Sequence, residues 1–413
     1  MLFDTQRKRK FESVPLSKPN WCRELHQFEP LVSRFTRDMR LKMSKLQTPF
    51  RYDFVGSFLR PQALKDAKTS FKAGKISEAE YDKVVEEEIA KVVAKQKELV
   101  FHVITDGEFR RSFWHLDFMW GLEGVEHKET GNGVEFNGEL AVLDDTYLVG
   151  KIKAKAHPFV EYFRFLKQFE DENTVAKYTI PAPAQTFQQM IVPANYESTR
   201  KFYATNDELI EDIVKAYQDV IKQFYDAGCR NLQLDDCTWG AIVGDAAKQR
   251  YKSLGIDIEE VKEQLLRVNN LALLNKPEDM VINSHICRGN YHSTYFTSGP
   301  YDTVADYVFA KENVNALFLE YDDERSGGFA PLSKISEDKK VVLGLITTKS
   351  PVLEDKEKVI ARIHEAANYI PLERLCLSPQ CGFASCEIGN KLTEEQQWAK
   401  LKLVKEIADE VWG

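Results

Sequence analysis

From residue 50 onward, short apolar runs alternate with longer stretches in which apolar residues recur at helical spacing. Eight of the short runs have the length and flanking residues of buried strands, and they cover residues 52–57, 101–105, 175–180, 230–235, 280–286, 315–320, 340–346 and 373–379. The 3.6-residue period predicts helices over residues 77–98, 206–227, 258–274, 302–311, 355–368 and 393–411. Apolar runs that alternate with helices predict βαβ units and a parallel sheet.

Eight strands in a chain of this length predict an α/β fold built as one (β/α)8 TIM barrel. The longest connection, residues 109–170, follows the second strand and is predicted to be an insertion, with a hairpin in its Gly-rich part around 131–155. A doubly wound open sheet is the alternative. No Gly-rich phosphate loop follows the run at 52–57, which favours the barrel.

Residues 1–42 differ from the remainder of the chain in charge. They hold 10 Lys and Arg against 5 Asp and Glu, a net charge of +5, whereas residues 43–413 hold 46 against 59, a net charge of −13. This first stretch also has three prolines and no sustained periodicity. We therefore predict a catalytic domain at 43–413 and a short N-terminal extension at 1–42. The extension is interpreted as a disordered solvated tail, a basic targeting arm, or a stretch left untranslated when synthesis begins at Met43.

Composition narrows the class of protein further. A net charge of −8 over 413 residues argues against a protein that coats nucleic acid. No run approaches the ~18 apolar residues of a membrane helix. Seven scattered cysteines without a secretory signal indicate a reducing, cytoplasmic setting, where cysteines serve more often as ligands or catalysts than as bridges. Disulfide scaffolds, membrane proteins and disordered proteins are excluded.

Several residues at the predicted strand ends are of metal-binding types, and strand ends are where a barrel carries its chemistry. His285 and Cys287 are two positions apart, so both side chains can face one ion. Glu320 and Cys381 follow two later strands. One imidazole, two thiolates and one carboxylate match a tetrahedral zinc site. The structural alternatives are a core histidine beside a buried thiol, a solvated glutamate in the acidic run 320–324, and a turn cysteine.

A second set of strand-end residues is suited to an amino acid. Asp235 and Asp236 end one strand and either cap the next helix or hold a cationic group, and Glu108 has the same two interpretations. A glycine before Ser57 lets backbone N–H groups approach an anion such as a carboxylate. With the metal ligands, these residues describe a receptor for an amino acid that bears a thiol. Cys237 and Cys386 follow loops of the site and are weaker candidates for a position near the metal.

The ordered motifs resemble the C-terminal catalytic barrel of cobalamin-independent methionine synthase, and more closely its single-barrel members. They are Val-Gly-Ser-Phe (55–58), Asp-Gly-Glu (106–108), Gln-Leu-Asp-Asp (233–236), His-Ile-Cys (285–287), Glu320 and Pro-Gln-Cys-Gly (379–382). The resemblance covers about residues 50–413. It implies that His285, Cys287, Glu320 and Cys381 bind zinc, and that Ser57, Glu108 and Asp235 bind the amino-acid part of homocysteine.

The resemblance also implies an activity, that of a 5-methyltetrahydropteroyltriglutamate–homocysteine S-methyltransferase. A free thiol has a pKa near 8.5, and coordination to zinc makes it a thiolate at neutral pH. The thiolate then takes a methyl group from a donor and becomes methionine. Glu320 is expected to loosen as the substrate sulfur enters, and Asp235 to act beside it. The implied partners are small molecules, homocysteine and a methyl donor, with no nucleic acid or membrane; the oligomeric state is left open.

Two departures from the family leave the donor open between a folate, a methylated corrinoid and a sulfonium compound. Forty-two residues cannot form the N-terminal barrel that helps to bind polyglutamyl folate. The family's Ile-His-Ser-Pro segment reads Thr-Lys-Ser-Pro at 348–351, and a solvated Lys349 would serve less well than histidine to protonate an amine leaving group.

Three alternative functions remain. The first is alkylation of a thiol by an epoxide, with coenzyme M as the thiol, although Glu108 and Asp235 suit an ammonium group better than a sulfonate. The second is a non-catalytic zinc- and thiol-binding family member. The third is a barrel enzyme of other chemistry in which the cysteines are incidental.

Overall fold

A computed structural model describes residues 46–131, 133–142 and 144–413. The helices are α1 (Gln62–Lys72), α2 (Glu78–Glu98), α3 (Leu116–Trp120), α4 (Pro158–Lys167), α5 (Pro183–Ile191), α6 (Pro193–Arg200), α7 (Asn206–Asp226), α8 (Thr238–Ala241), α9 (Gly244–Ser253), α10 (Ile258–Ala272), α11 (Asp302–Ala305), α12 (Val308–Lys311), α13 (Lys356–Ala366) and α14 (Glu394–Trp412). The strands are β1 (Val103–Ile104), β2 (Glu123–Lys128), β3 (Gly133–Phe136), β4 (Glu139–Val142), β5 (Asp145–Lys153), β6 (Val175–Ala176), β7 (Tyr178–Pro181), β8 (Asn231–Asp236), β9 (Val281–Ile286), β10 (Ala316–Glu320), β11 (Lys340–Ile346) and β12 (Leu375–Pro379).

The fold is mixed α/β, with six parallel strands in the order β12-β11-β10-β9-β8-β7. Strands β1 and β6 form a separate two-stranded parallel sheet. Tyr52 makes a parallel bridge with Leu377 of β12. Neighbouring strands therefore follow chain order, as predicted. The strand pairing assigned within the described ranges does not form a closed ring.

The predicted first strand, 52–57, is present only as the bridge at Tyr52. Beyond it, backbone carbonyls accept hydrogen bonds from side chains instead of from a neighbouring strand. Val55 O accepts from Gln233 Nε2 at 2.9 Å, and Gly56 O accepts from Thr105 Oγ1 at 2.7 Å. Side-chain donors thus provide the hydrogen bonds that these backbone carbonyls require. The apolar pattern alone could not predict such hydrogen bonds.

The helices cover the sheet with apolar faces, and α7 shows how the sequence achieves this. The Thr205 side chain accepts from Glu208 N at 3.2 Å and caps the first turn. Leu209, Ile213 and Tyr217 then recur at four-residue spacing and are buried. The polar cap residue therefore sets where the helix begins, and the apolar residues at four-residue spacing set which face of the helix is buried.

Predicted and observed helices agree best where the stretch of sequence with helical periodicity is long. Helices predicted at 206–227 and 258–274 correspond to α7 and α10, whereas the helix predicted at 302–311 is wrong as a single element and forms two short ones, α11 and α12. Helices α1, α3, α4, α5, α6, α8 and α9 were not predicted. Three of them, α4, α5 and α6, begin at a proline, which is a helix-starting signal, but each is too short for a sustained helical period.

The long connection after β1 contains two antiparallel pairs. Strands β3 and β4 pair as a hairpin inside the predicted 131–155 section, and β2 pairs with β5. Residues 1–42, for which a tail, a targeting arm or a later start was predicted, lie outside the described residues. In the part of the chain that the structure describes, no helix combines the length and the apolar character needed to cross a membrane.

Candidate metal centre

Four side chains at the carboxyl ends of parallel strands meet in one buried cluster. They are His285 in β9, Cys287 just after it, Glu320 at the end of β10 and Cys381 after β12. Their ligand atoms all lie within 4.8 Å of one another. The two sulfur atoms are 3.8 Å apart. The structure thus brings together all four of the residues that the sequence analysis selected as metal ligands.

His285 is oriented like a histidine ligand. Its Nδ1 lies 3.3 Å from the backbone carbonyl of Phe318, to which it can donate. Its Nε2 is buried and has no hydrogen-bond partner. A metal-binding histidine characteristically donates its other ring nitrogen to a carbonyl or carboxylate. The unpartnered nitrogen beside two sulfurs and a carboxylate fits a zinc ion.

The two thiols are crowded and shielded from water. Hydrogen bonding from Cys237 and burial hold the pKa of Cys287 well above its usual range. Hydrogen bonding with Cys287 and burial raise the pKa of Cys381 in the same way. Burial and the hydrogen bonds between thiols therefore disfavour two thiolates here, and a cation among the four side chains would favour them.

Glu320 is fully buried, not solvated. Its Oε1 accepts from the backbone N–H of Arg288 at 2.8 Å, and its Oε2 accepts from Arg325 at 2.6 Å. Lys349 Nζ lies 3.9 Å from Oε2, and the lysine side chain is only 9% exposed. The interpretation of Lys349 as solvated is therefore wrong, because the loop after β11 directs it toward the end of β10. Each carboxylate oxygen still has a lone pair free for a metal.

The predicted amino-acid-binding residues share a cavity with the cluster. Ser57, Glu108 and Asp235, here called the amino-acid corner, line a cavity of about 330 Å³ together with His285, Cys287 and Cys381. The Ser57 Oγ accepts from Ala384 N at 3.3 Å.

The carboxylate of Glu108 is positioned but incompletely paired. Its Oε1 accepts from Thr179 Oγ1 at 2.8 Å and lies 3.6 Å from a guanidinium nitrogen of Arg111. Its Oε2 is buried without a hydrogen-bond partner. An unpaired carboxylate oxygen that borders a cavity is suited to a cationic group of a ligand.

Asp235 and Asp236 have different roles. Asp236 accepts from Thr238 N at 2.8 Å and from Asn269 Nδ2 at 2.9 Å, so it supports the start of α8. Asp235 borders the cavity and accepts from Gln233 Nε2 at 2.8 Å. Burial, and then the nearby charge of Glu108, raise the pKa of Asp235 to about 8.

The sequence analysis missed most of the remaining cavity wall. This wall includes the aromatic side chains of Trp114, His115, Phe136, Tyr291 and Phe296, with Cys237 and Cys386 also lining the cavity. The ring of Phe136, from the β3–β4 hairpin, is 5.6 Å from that of Tyr291 and 5.4 Å from that of Phe296. Trp114, Tyr291 and Phe296 come from segments without periodicity, and the alternating pattern that predicts the hairpin does not show that Phe136 reaches the cavity.

Comparison with known proteins places this site in a family. The model for the catalytic domain of cobalamin-independent synthase matches residues 52–163 and 188–410. A Bacillus subtilis (strain 168) protein named uncharacterized protein YxjH is 43% identical, over 89% of this chain and 96% of its own length. A Saccharolobus solfataricus protein named methionine synthase is 26% identical, over 79% and 86%.

A solved structure from Listeria monocytogenes is 38% identical, with a TM-score of 0.70, and the match covers 89% of this chain and all of that one. That protein is described as a candidate vitamin B12-independent methionine synthase. The family model covers most of the chain, including all the residues of the cluster and of the amino-acid corner. This chain belongs to the family of cobalamin-independent synthase catalytic domains.

Proposed function

We propose that the protein is a zinc-dependent methyltransferase that activates the thiol of homocysteine and transfers a methyl group to it, forming methionine. The observation that carries the proposal is one shared cavity: His285, Cys287 and Cys381 of the His-Cys-Glu-Cys cluster border the same space of about 330 Å³ as the amino-acid corner. The family match and the relatives named methionine synthase support it.

We also propose that residues 43–413 form a closed (β/α)8 barrel with an insertion after its second strand. Two contacts support closure. Tyr52 bridges to Leu377 of β12, and Phe58 N donates to Gly107 O at 3.1 Å. These contacts link the start of the domain to β12 and to the loop that follows β1.

The proposed zinc ligands are His285, Cys287, Glu320 and Cys381. Zinc bound there would supply the positive charge that makes a thiol a nucleophile at neutral pH. Glu320 keeps Arg325 and the backbone N–H of Arg288 as partners whether or not it also binds an ion. It is therefore the ligand that can withdraw at the smallest cost, which is why we assign it a catalytic role.

The amino-acid corner orients the substrate. Glu108, through its unpaired Oε2, and Asp235 would hold the ammonium group, and Ser57 with its neighbouring backbone N–H groups would hold the carboxylate. Fixing both ends of the amino acid directs its sulfur toward the cluster and lowers the entropic cost of reaction. In the reaction the thiol loses its proton, the sulfur bonds to the methyl carbon, and the donor leaves with the electron pair of its former bond to methyl.

The test is transfer of a labelled methyl group to homocysteine by the zinc-loaded full chain. Methyltetrahydrofolate, methylcobalamin and a methyl sulfonium compound are offered separately. We expect labelled methionine from one of them, and loss of that product in Cys381→Ala.

The buried Lys349, in place of a family histidine, favours one second candidate, a thiol-binding protein without catalysis. Homocysteine binding without labelled methionine from any of the three donors would support that candidate and contradict methyl transfer.

A further inference from the structure

The guanidinium group of Arg60 is buried among backbone carbonyls directly behind the amino-acid corner. Its NH1 donates to Phe58 O at 2.9 Å, to Ala384 O at 3.1 Å and to Gly107 O at 3.3 Å. Its NH2 donates to Glu108 O at 2.8 Å and to Arg111 O at 3.2 Å. Arg60 is 6% exposed, and no carboxylate within the described ranges forms an ion pair with it. Five carbonyls, not an acidic side chain, are its partners.

These five carbonyls belong to three separate loops. Phe58 follows Ser57 directly, Gly107 to Arg111 form the loop that contains Glu108, and Ala384 lies three residues after Cys381. Ala384 N also donates to Ser57 Oγ at 3.3 Å. One side chain therefore sets the spacing between the loops that carry two amino-acid-binding residues and one metal ligand.

The backbone of Glu108 is strained, and Arg60 is one of the groups that hold it. Glu108 has φ of 62°, in the left-handed region that few residues other than glycine adopt. Its N–H donates to Asp106 Oδ1 at 2.9 Å, and its carbonyl accepts from Arg60. A strained backbone conformation persists at a functional site only where several surrounding contacts hold it in place. Without the carbonyl contact, Glu108 is free to relax and to turn its carboxylate away from the cavity.

A lysine at this position could not replace the arginine. A guanidinium presents five N–H donors in a rigid planar fork, whereas an ammonium presents three donors around one point. The five carbonyls lie around two nitrogen atoms of the fork, so an ammonium can reach only some of them. The arrangement selects the shape of arginine and not only its charge.

We infer that Arg60 is a positioning residue for substrate binding: it holds Glu108 and Ser57 in the arrangement that accepts the two charged ends of the amino acid. This inference rests on the proposed function, because the amino acid in question is homocysteine. Arg60 itself does not touch the substrate or the cluster.

The test compares Arg60→Lys and Arg60→Ala with the wild type, all as zinc-loaded full chains. Arg164→Ala is the control, because Arg164 is half exposed and, among the residues that the structure describes, forms an ion pair with Glu161 alone, one turn away on α4. Homocysteine affinity is measured by calorimetry, KM and kcat with the active donor, and zinc content by elemental analysis. We expect both Arg60 variants to raise the Kd and KM for homocysteine about tenfold or more, with kcat changed less and one zinc retained per chain.

Chemical rescue distinguishes a positioning role from a loss of protein stability, because guanidinium would not restore binding to a protein that is merely destabilised. Arg60 also lines a surface pocket of about 410 Å³, beside Lys65, Lys68 and Lys72. A small cation from solvent can therefore enter the space that Arg60→Ala vacates. We expect millimolar guanidinium to restore homocysteine affinity to Arg60→Ala, and ammonium at the same concentration to have no effect.

Two results would overturn the role of Arg60 alone: wild-type homocysteine affinity in Arg60→Lys, or weaker binding that parallels loss of zinc and is not rescued by guanidinium. A wild-type protein that fails to bind homocysteine would overturn the proposed function, and this inference with it. Wild-type binding is measured first, so the two failures are distinguishable.

Discussion

Replacing Asp235 with asparagine would separate substrate binding from metal binding, because Asp235 borders the cavity but is not part of the metal cluster. The side chain is 6% exposed, and asparagine has nearly the same shape. The amide oxygen can still accept from Gln233, as the carboxylate does at 2.8 Å. Asp235→Asn should therefore fold, keep its zinc, and lose only the negative charge offered to an ammonium group.

The expected loss follows from the energy of one charge-assisted hydrogen bond. Hydrogen bonds to charged groups contribute about 1.5–3 kcal/mol. A loss of this size corresponds to a rise of roughly 10- to 150-fold in the Kd for homocysteine. Glu108 stays in place to hold the ammonium group, so the variant should bind weakly but measurably.

The effect should depend on pH. Burial and Glu108 raise the pKa of Asp235 to about 8, so at pH 7 its side chain is mostly protonated in the ligand-free protein. Only the carboxylate form attracts an ammonium group fully. The ratio of the variant Kd to the wild-type Kd should therefore increase as pH rises through 8. Ionisation of homocysteine itself affects both proteins equally and cancels in the ratio.

The same pKa shift has an opposite effect on stability. The folded pKa lies above the unfolded value of about 3.9, so between about pH 4 and 8 the folded state holds a proton that the unfolded state has released. The bound proton contributes to the free energy of unfolding fully below about pH 4, and this contribution declines as the pH rises toward 8. Asp235→Asn should lack this decline.

Calorimetric titration of homocysteine at pH 7 and pH 9, with elemental analysis of zinc, is the assay. A variant with wild-type affinity at both pH values would refute the assignment of Asp235 to the ammonium group. Parallel loss of zinc and homocysteine binding would refute the separation of the two roles.

Three further predictions concern the cluster, the corner and the buried acids. Cys287→Ala and Cys381→Ala should each abolish zinc retention, because each removes one of the two thiolates among the four proposed ligands; unchanged zinc content by elemental analysis would contradict the site. Gly382→Ala should weaken homocysteine binding, since its new Cβ would lie 2.0 Å from Ser57 Oγ, whereas Gly328→Ala, which meets no atom within 4 Å, should bind normally in the same titration. Burial and the charge of Asp236 raise the pKa of Glu312 to about 8, so the wild type loses stability as pH rises toward 8 and Glu312→Gln does not. In urea unfolding, the free energy of unfolding of Glu312→Gln should therefore increase relative to that of the wild type from pH 6 to pH 9. A difference that does not change with pH would contradict this.

The metal cluster was the part of the site that the sequence predicted most completely. His285, Cys287, Glu320 and Cys381 each stand at or just after a buried strand, and parallel strands end at the same edge. Once the strands were recognised, residue type and position sufficed to group these four side chains. The same argument grouped Ser57, Glu108 and Asp235 around the same cavity.

Features that depend on loop geometry could not be predicted in this way. Phe136 reaches the cavity from a hairpin, and Arg60 acts through carbonyls of three loops, which no side-chain pattern reveals. Lys349 was interpreted as solvated, but the loop after β11 places its side chain beside Glu320, where it is only 9% exposed. The irregular course of residues 52–57 could not be predicted either, because its backbone carbonyls accept hydrogen bonds from side chains that are distant in the sequence.

Zinc-edge X-ray absorption of the tag-free protein, with and without homocysteine, tests the central claim most directly. The account predicts one zinc per chain, bound by two sulfurs and two lighter atoms, with one additional sulfur when homocysteine is present. A protein that neither contains nor takes up zinc, or a zinc environment that homocysteine leaves unchanged, would contradict it.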